Sequence, residues 1–299
     1  MKGNFELYRI FCEVVRAGTF SGAARALYIT QPAVSQAIRQ LEQTLDTRLF
    51  VRGARGVTPT AEGEVLYGYA SSALNLLSAG ESRVSQLGSL SAGELRIGAG
   101  DTVTKWYLLP VIEQFHRRYP EVTLRMTNRT SRETVKLLQE GAIDLGFINM
   151  PLSAPGVMVE TCCTLHDVFI AGPAFESLRG RTVGLAELAQ QSLILLERSS
   201  NSRRWIDRHF LAAGVALQPA IELGTHELLA DCARIGLGVA CVIEEYSRHV
   251  IGRDGVFRVE ADPPVPQRSV GACYLERVGP SPAGRRFIDL ARELSPEET

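Results

Sequence analysis

The 299-residue chain lacks the features that mark membrane, secreted and metal-binding proteins. It has no apolar run near the roughly 18 residues that span a bilayer, and residues 1–9 lack the apolar core of a signal peptide. Its six cysteines show no metal-ligand spacing and are too few for a disulfide-stapled fold. We therefore expect a cytoplasmic protein with reduced thiols and with no metal, no cofactor and no membrane contact.

The sequence also lacks the motifs of common enzyme classes. It has no phosphate-binding G-x-x-x-x-G-K loop, no G-x-S-x-G nucleophile elbow and no H-E-x-x-H zinc helix. His226 and Glu227 begin the last of these patterns, but the second histidine is absent. We expect a binding protein rather than an enzyme. A secreted solute-binding protein is a second alternative, but it would have no use for residues 1–60.

Lysine is scarce, so arginine carries most of the positive charge, and that charge is unevenly distributed. The formal net charge is -1, yet residues 1–60 hold eight basic and four acidic side chains, a balance of +4 that leaves -5 on the remainder. A basic N-terminal segment followed by an acidic remainder permits nucleic-acid binding without proving it.

Apolar spacing predicts three short helices in residues 4–45. The second follows Ser21 over residues 22–28, and the third begins at Thr30 with Pro32 in its first turn. The apolar face of the third helix consists of Val34, Ile38, Leu41 and Leu45. Its opposite, polar face consists of Gln31, Ser35, Gln36 and Arg39. Such a face can enter a DNA major groove, where Gln bonds adenine, Arg bonds guanine, and Ser reaches a base or phosphate.

The next two segments predict a wing and a long helix. Residues 49–60 lose the helical period and gain glycine and proline, which is typical of a short ribbon. The arginines expected to clamp phosphates there are Arg48, Arg52 and Arg55. They argue against the alternative in which the polar face is merely solvated. A long helix that pairs with a second helix is predicted by the apolar positions Leu66, Tyr69, Ala73, Leu76, Gly80, Val84 and Leu87. Residues 88–93 are the predicted linker.

Beyond the linker, alternating strands and helices predict parallel sheets with crossover helices. The expected strands are 95–98, 122–127, 145–148, 168–171, 193–196, 238–243 and 270–275. The expected helices are 106–118, 132–140, 203–213, 227–234 and 284–294. A break near Glu160–Asp167 suggests two similar lobes, with ligand between them at the carboxyl ends of the strands.

The run GTFSGAARALYITQPAVSQAIRQLE at residues 18–42 resembles the LysR-type transcriptional regulators. Residues 49–52, 58–63, 141–145 and 236–240 also fit that family. The resemblance implies a winged helix-turn-helix at 1–60, a dimerising linker helix and hinge at 61–90, and a two-lobed α/β effector domain similar to periplasmic binding proteins at 91–299. Lobe 1 is expected at about 91–163 and 268–299, and lobe 2 at about 164–267.

The same resemblance implies double-stranded DNA, a small-molecule effector and further copies of the chain as partners, typically in a homotetramer that is a dimer of dimers. The start of the recognition helix is matched by Gln31, Pro32, Ser35 and Gln36. Arg39 matches its later turn and Arg52 the wing arginine. Asp46 departs from the family's glycine at the end of this helix, and we expect a small stability cost with no loss of binding.

Three predicted helix starts in the effector domain combine hydroxyl groups with a cation, at residues 101–105, 128–132 and 199–204. A cation at a helix N-terminus is unfavourable unless an anion offsets it, so we hypothesise a small anionic effector. Its expected ligands are Thr102, Thr104, Thr130, Ser199, Ser200, Asn201 and Ser202. Plain N-capping is the alternative, and Thr130 with Glu133 forms a complete capping box. The resemblance adds Asn149, Thr225 and His226 to the lining.

A redox sensor at Cys162 and Cys163, near His166, is a further alternative. Adjacent cysteines rarely form a disulfide comfortably, and the sequence shows no cationic setting that would favour a thiolate.

Overall fold

The computed structural model describes residues 4–53, 56–86 and 93–295. It divides into two compact units, Met1–Val84 with Glu140–Ala142, and Ser85–Gln139 with Ile143–Thr299. Among the described residues, no helix combines the length and apolar character needed to cross a membrane.

The first unit is helical, with a two-stranded wing. Its elements are α1 (Phe5–Ala17), α2 (Phe20–Ala26), α3 (Gln31–Leu45), β1 (Phe50–Gly53), β2 (Gly56–Pro59) and α4 (Ala61–Gln86). The first three helices surround a core in which Phe11, Val14 and Val34 are fully buried. Strands β1 and β2 pair antiparallel, so the predicted wing is confirmed.

The helix ends of this unit follow local capping chemistry. Helix α2 begins before the predicted residue, because Thr19 rather than Ser21 is its N-cap and accepts a hydrogen bond from the Gly22 N–H at 3.0 Å. Thr30 caps α3 as expected, by accepting from the Ala33 N–H. Asp46 ends α3 in the left-handed conformation, with φ 49°, as the sequence predicts.

The second unit contains two sheets with helices around them. Its strands are β3 (Gly93–Ala99), β4 (Val122–Asn128), β5 (Leu145–Asn149), β6 (Val157–Leu165), β7 (Asp167–Ala171), β8 (Thr182–Gly184), β9 (Leu193–Leu196), β10 (Ile221–Leu223), β11 (Val239–Ile243), β12 (Phe257–Asp262) and β13 (Arg268–Leu275). Its α-helices are α5 (Asp101–Val103), α6 (Leu109–Arg118), α7 (Ser131–Gln139), α8 (Leu185–Leu188), α9 (Asn201–Ala212), α10 (His226–Arg234), α11 (Glu244–Ser247) and α12 (Pro282–Glu293). A π-helical segment, Thr104–Leu108, joins α5 to α6, and a 3-10 helix covers Pro173–Leu178.

Each sheet is the centre of one lobe. Lobe 1 has the strand order β4-β3-β5-β13-β6, and lobe 2 has the order β10-β9-β11-β7-β12-β8. The expectation of purely parallel sheets is wrong, because β13 runs antiparallel to β5 and β6, and β7 runs antiparallel to β11 and β12. The chain crosses between the sheets twice, after β6 and after β12, and β7 and β13 enter their new sheets against the direction of the neighbouring strands.

The predicted break near Glu160–Asp167 is mostly occupied by strand β6, but the chain does pass from lobe 1 to lobe 2 there, between Leu165 and Asp167. This strand lies at the sheet edge and buries Cys162, Cys163 and Leu165 while Glu160 and Thr164 are only half-buried, so it lacks a long apolar run.

Parallel pairing places the functional loops at one edge of each sheet. Strands β3, β4 and β5 are parallel, so their carboxyl ends at Ala99, Asn128 and Asn149 lie together. Strands β9, β10 and β11 do the same in lobe 2. The helices that follow these strands therefore begin near the same edges.

Candidate nucleic-acid interface and ligand cleft

Helix α3 has two chemically distinct faces, as the sequence predicts. Val34, Ile38 and Leu41 are buried in the core of the first unit, and Leu45 packs partly against it. On the other side, exposed or half-exposed side chains are provided by Gln31, Pro32, Ser35, Gln36 and Arg39. The Gln31 amide donates to the Ser35 hydroxyl at 2.9 Å. The polar face is thus available to a partner, and the apolar face anchors the helix.

The connection from α3 to the wing is held by two side chains that the sequence analysis did not select. A carboxylate oxygen of Glu42 accepts from the Leu49 N–H at 2.8 Å. The Thr60 hydroxyl donates to the Arg48 carbonyl at 2.8 Å and accepts from the Gly63 N–H. These bonds fix the backbone around Arg48, whose side chain is exposed.

The structure says less about the other two arginines that are predicted to bind phosphates, Arg52 and Arg55. Arg52 belongs to strand β1, where its backbone pairs with Val57. Arg55 lies outside the described residues. Both therefore stay predictions.

The second unit has a cavity of about 210 Å³ between its two lobes. The predicted effector residues that line it are Thr102, Thr130, Asn149, Ser199, Ser200, Asn201, Ser202, Thr225 and His226. Thr104 is not among the lining residues, because it lies in the π-helical segment after α5. Lining residues that were not selected from the sequence include Arg129 and Glu197.

Helix N-termini dominate the chemistry of this cavity. Helices α5, α9 and α10 begin at its wall, after the N-cap residues Gly100, Ser200 and Thr225, and in the described part of the chain none of these three caps its helix with a side-chain hydrogen bond. Helix α7 differs, since Thr130 and Glu133 exchange hydrogen bonds in the predicted capping box. Three of the helix N-termini at the cavity therefore present backbone N–H groups without a side-chain cap.

Two lining side chains have their polar atoms oriented by neighbours. His226 Nε2 accepts from the Ile243 N–H at 2.8 Å, and burial lowers the pKa of His226 to about 4. The neutral ring therefore carries its proton on Nδ1. Asn149 Oδ1 accepts from Arg268 at 2.8 Å, so the NH₂ end of the amide is the donor that remains, without a partner among the described residues.

Of the cations in the three helix-start segments, Arg129 lines the cavity but Lys105, Arg132 and Arg203 do not, which corrects the premise of the sequence argument. Lys105 pairs with Glu227 at 2.5 Å, and buried Arg203 pairs with Asp207 and Glu222. Arg132 is exposed and is not a lining residue. Positive character at the cavity comes instead from the helix N-termini and Arg129.

The lobes are joined at the floor of the cleft. The Asn201 amide of lobe 2 donates to the Asn149 carbonyl of lobe 1 at 2.5 Å. Behind Asn149, the Arg268 guanidinium binds both oxygens of Asp167, and both side chains are buried. Arg268 begins β13 and Asp167 begins β7, so this ion pair ties together the two crossings between lobes.

The cysteines do not support a redox sensor. All six are free, and burial raises the pKa of Cys163 and Cys273 to about 12 and that of Cys162 above its ordinary value. Thiols in this state are protonated at neutral pH and react slowly with peroxide.

Comparisons with known proteins match two long segments of the chain to one family. Residues 5–64 match the family described as "Bacterial regulatory helix-turn-helix protein, lysR family", and residues 88–296 match "LysR substrate binding domain". The uncharacterized HTH-type transcriptional regulator YeiE of Escherichia coli K12 is 28% identical over 280 residues, which are 94% of each chain.

Solved structures show the same fold along nearly the whole chain. A full-length, single-substitution variant of OxyR from Pseudomonas aeruginosa aligns with a TM-score of 0.74 at 20% identity, covering 99% of this chain and 96% of that one. Full-length CbnR in complex with its target DNA aligns with a TM-score of 0.68 at 21% identity, covering 98% of this chain and 100% of that one. Because the two family matches cover most of the sequence, the chain belongs to the LysR family of DNA-binding transcriptional regulators and is not an enzyme.

Proposed function

We propose that this regulator responds to a small anion held in the cleft between its lobes. In this proposal it works in the cytoplasm as a homo-oligomer, a dimer of dimers. The carrying observation is that α5, α9 and α10 all begin at one cavity without side-chain caps. Unpaired N–H groups and the positive ends of helix dipoles make such a site attractive to an anion.

Four helices elsewhere in the chain have side-chain caps, whereas the short helices α8 and α11 do not. Asn4, Thr19, Thr30 and Ser281 each accept a hydrogen bond from their own helix, at α1, α2, α3 and α12. At α5, α9 and α10 the N-cap residue accepts no such bond, although Ser200 and Thr225 are of a capping type, whereas α7 at the same cavity is capped by Thr130. A bound acceptor would satisfy the N–H groups of α5, α9 and α10 instead.

The oriented side chains add donors of the same kind. The Nδ1–H of His226 and the NH₂ of Asn149 are both donors, and Arg129 contributes a full positive charge. Carboxylates at Asp101 and Glu197 limit the attraction. Asp101 accepts from Asn128, and Glu197 accepts from Ser199. The expected effector is therefore a small anion rather than a polyanion.

Oligomerisation is proposed from helix α4. Its exposed large apolar side chains are Val65, Tyr69, Leu76, Leu77 and Val84. At about 3.6 residues per turn they fall on one side of the helix. Of the predicted stripe, Leu66 differs because it packs partly against the core of the first unit, and Leu87 lies outside the described residues. Such a stripe is suited to burial against a second copy of α4.

Regulation would then follow from closure of the lobes. An anion that binds between Asn149 of lobe 1 and Asn201 of lobe 2 favours one arrangement of the two sheets, since both residues line the cavity. Movement of the lobes would shift the angles between subunits, and with them the spacing of the half-sites and the bend of the DNA.

The test is isothermal titration of the full-length chain with sulfate, phosphate, acetate and succinate. We expect at least one of them to bind at one site per chain and Asn149→Asp to abolish that binding. The variant keeps an acceptor for Arg268 but replaces the donor with a negative oxygen. Asn4→Asp is the matched control, because aspartate also caps a helix and Asn4 is far from the cleft in sequence. Silence toward all four anions, with binding of a neutral or cationic compound, would overturn the anionic assignment.

A further inference from the structure

The loop between α2 and α3 contains an aromatic side chain that neither the sequence motifs nor the core explains. Tyr28 is 96% exposed, and its φ of 55° is in the left-handed region that favours glycine. Its hydroxyl has no hydrogen-bond partner among the residues that the structure describes. The chain therefore holds a bulky residue in a costly conformation without packing that would offset the cost.

The ending of α2 imposes this conformation. The Ile29 N–H donates to the Ala24 carbonyl at 3.0 Å, and the Tyr28 N–H donates to the Arg25 carbonyl at 3.3 Å. These two bonds form a Schellman motif in which Tyr28 is the left-handed residue, the position where glycine is most common and asparagine next. Helix α1 places Gly18 at its equivalent position. Of the three left-handed residues that follow α1, α2 and α3, which are Gly18, Tyr28 and Asp46, tyrosine is the least suited to this conformation.

The position of Tyr28 just before α3 indicates the role of its side chain. Thr30, the N-cap of α3, follows two residues later, and Ile29, Gln31 and Pro32 are exposed as well. Tyr28 therefore borders the N-terminal end of the face that enters the groove. Tyrosine hydroxyls and helix N-termini are among the groups that bind DNA phosphates and fix the register of a protein on the duplex.

We propose that Tyr28 is a positioning residue for DNA, whose hydroxyl donates to a phosphate beside the groove that α3 enters. The contact forms only in the complex, which explains why the free chain gains nothing from the side chain. The hydroxyl is neutral and reads no base. This inference depends on DNA binding by the chain and is independent of the effector and of the oligomeric state.

Fluorescence anisotropy with the full-length chain tests this role on two duplexes. One is selected by the wild type from a random-sequence library, and the other is its scrambled version. We expect Tyr28→Phe to weaken binding to both by a similar factor, about three to ten. The slope of log affinity against log salt should stay unchanged, since no charge is removed.

Tyr28→Asn separates binding from folding. Asparagine accepts the left-handed conformation more readily, so hydrogen exchange in α2 and α3 should be no faster than in the wild type, while DNA affinity falls at least as far as in Tyr28→Phe. Asp254→Gly is the control, because it relieves a left-handed residue of the second unit, with φ 48°, and should leave DNA affinity unchanged.

Three results would overturn the proposal. Affinity of Tyr28→Phe within two-fold of the wild type on both duplexes would remove the phosphate contact. Loss confined to the selected duplex would show that Tyr28 reads a base. Faster exchange in Tyr28→Asn would show a structural role. Failure of the wild type to bind any duplex would instead contradict DNA binding itself.

Discussion

At the scale of single residues, the proposed ligand cleft contains side chains with one polar atom held by a hydrogen bond from a neighbour. His226 is the clearest case, because the Ile243 N–H occupies its Nε2 and leaves Nδ1–H as a donor. Burial lowers the pKa of His226 to about 4 and outweighs the opposing carboxylates of Asp167 and Glu227, while the positive charge of Arg268 acts in the same direction as burial.

The pH dependence of stability tests this environment. An unfolded histidine with its ordinary pKa of 6.5 binds a proton between pH 6.5 and 4, whereas folded His226 does not. The stabilising contribution is therefore fully present above pH 6.5 and is lost as the pH falls toward 4, by about 3 kcal/mol. In His226→Gln, which retains an acceptor for Ile243, this loss should be absent. Urea denaturation at pH 7, 5.5 and 4.5 measures the difference, and equal pH profiles for both proteins would contradict it.

Asp46 gives a second test at this scale. Its left-handed conformation and its negative charge at the C-terminal end of α3 are both unfavourable. We expect Asp46→Gly to raise the free energy of unfolding of the first unit by about 0.5–1 kcal/mol while DNA affinity stays within two-fold. Urea denaturation and anisotropy measure the two quantities, and a stability decrease would show that Asp46 makes a contact that the αL argument omits.

At the scale of elements, two helices present faces that the first unit itself does not cover. Helix α3 exposes a polar face, and α4 exposes large apolar side chains along one side. Because exposed apolar surface of this extent is unfavourable in water, we expect the proposed assembly to depend on α4.

A charge placed on α4 tests its role in assembly. Tyr69 lies in the exposed apolar row, and Ser78 is exposed on the opposite side of the same helix. We expect Tyr69→Glu to shift the chain toward monomers and Ser78→Glu to leave its mass unchanged. Sedimentation equilibrium at micromolar concentration reports the masses, and identical masses for both variants would remove α4 from the interface.

At the scale of the whole molecule, the chemistry of the cleft depends on distant parts of the chain that meet in one place. Arg268 and Asp167 are about one hundred positions apart and both buried, so each neutralises a charge that would otherwise be very unfavourable. Removing one partner leaves an unpaired buried charge.

A double-variant comparison tests this pair. Arg268→Met should destabilise the second unit by about 3–5 kcal/mol, and adding Asp167→Leu should recover part of that loss. Arg117→Met breaks an exposed pair with Glu113 and serves as the control, with an expected change below about 1 kcal/mol. Urea denaturation provides the values. A double variant less stable than Arg268→Met would contradict the account.

Local signals in the sequence account for the parts of the fold that were predicted correctly. Strand β9 was predicted with its observed bounds, because Leu193–Leu196 is a short apolar run buried on both faces. The N-cap of α3, Thr30, was also predicted from local chemistry, whereas its end at Asp46 was predicted from the family resemblance. Strand β12 was missed although its burial alternates, and β6 was missed because half of it faces away from the core.

The candidate site, like the fold, was predictable only where local sequence signals determine it. The loops that line the cavity were predictable, since hydroxyl-rich segments follow buried strands whose carboxyl ends meet. The roles of Arg268 and Asp167 were not, because their pairing depends on where the chain crosses between sheets. Tyr28 was missed for a different reason: the backbone conformation that makes it costly is set by the ending of α2.

The central claim is that the polar face of α3 reads base edges, and one measurement tests it most directly. Anisotropy titrations of the full-length wild type, Gln31→Ala, Ser35→Ala and Arg48→Ala compare the selected and the scrambled duplex. We predict that the first two variants lose discrimination between the duplexes. Arg48→Ala, and likewise Arg52→Ala, should weaken binding to both and lower the salt slope by about one unit. Equal losses on both duplexes for all variants would contradict base reading by α3.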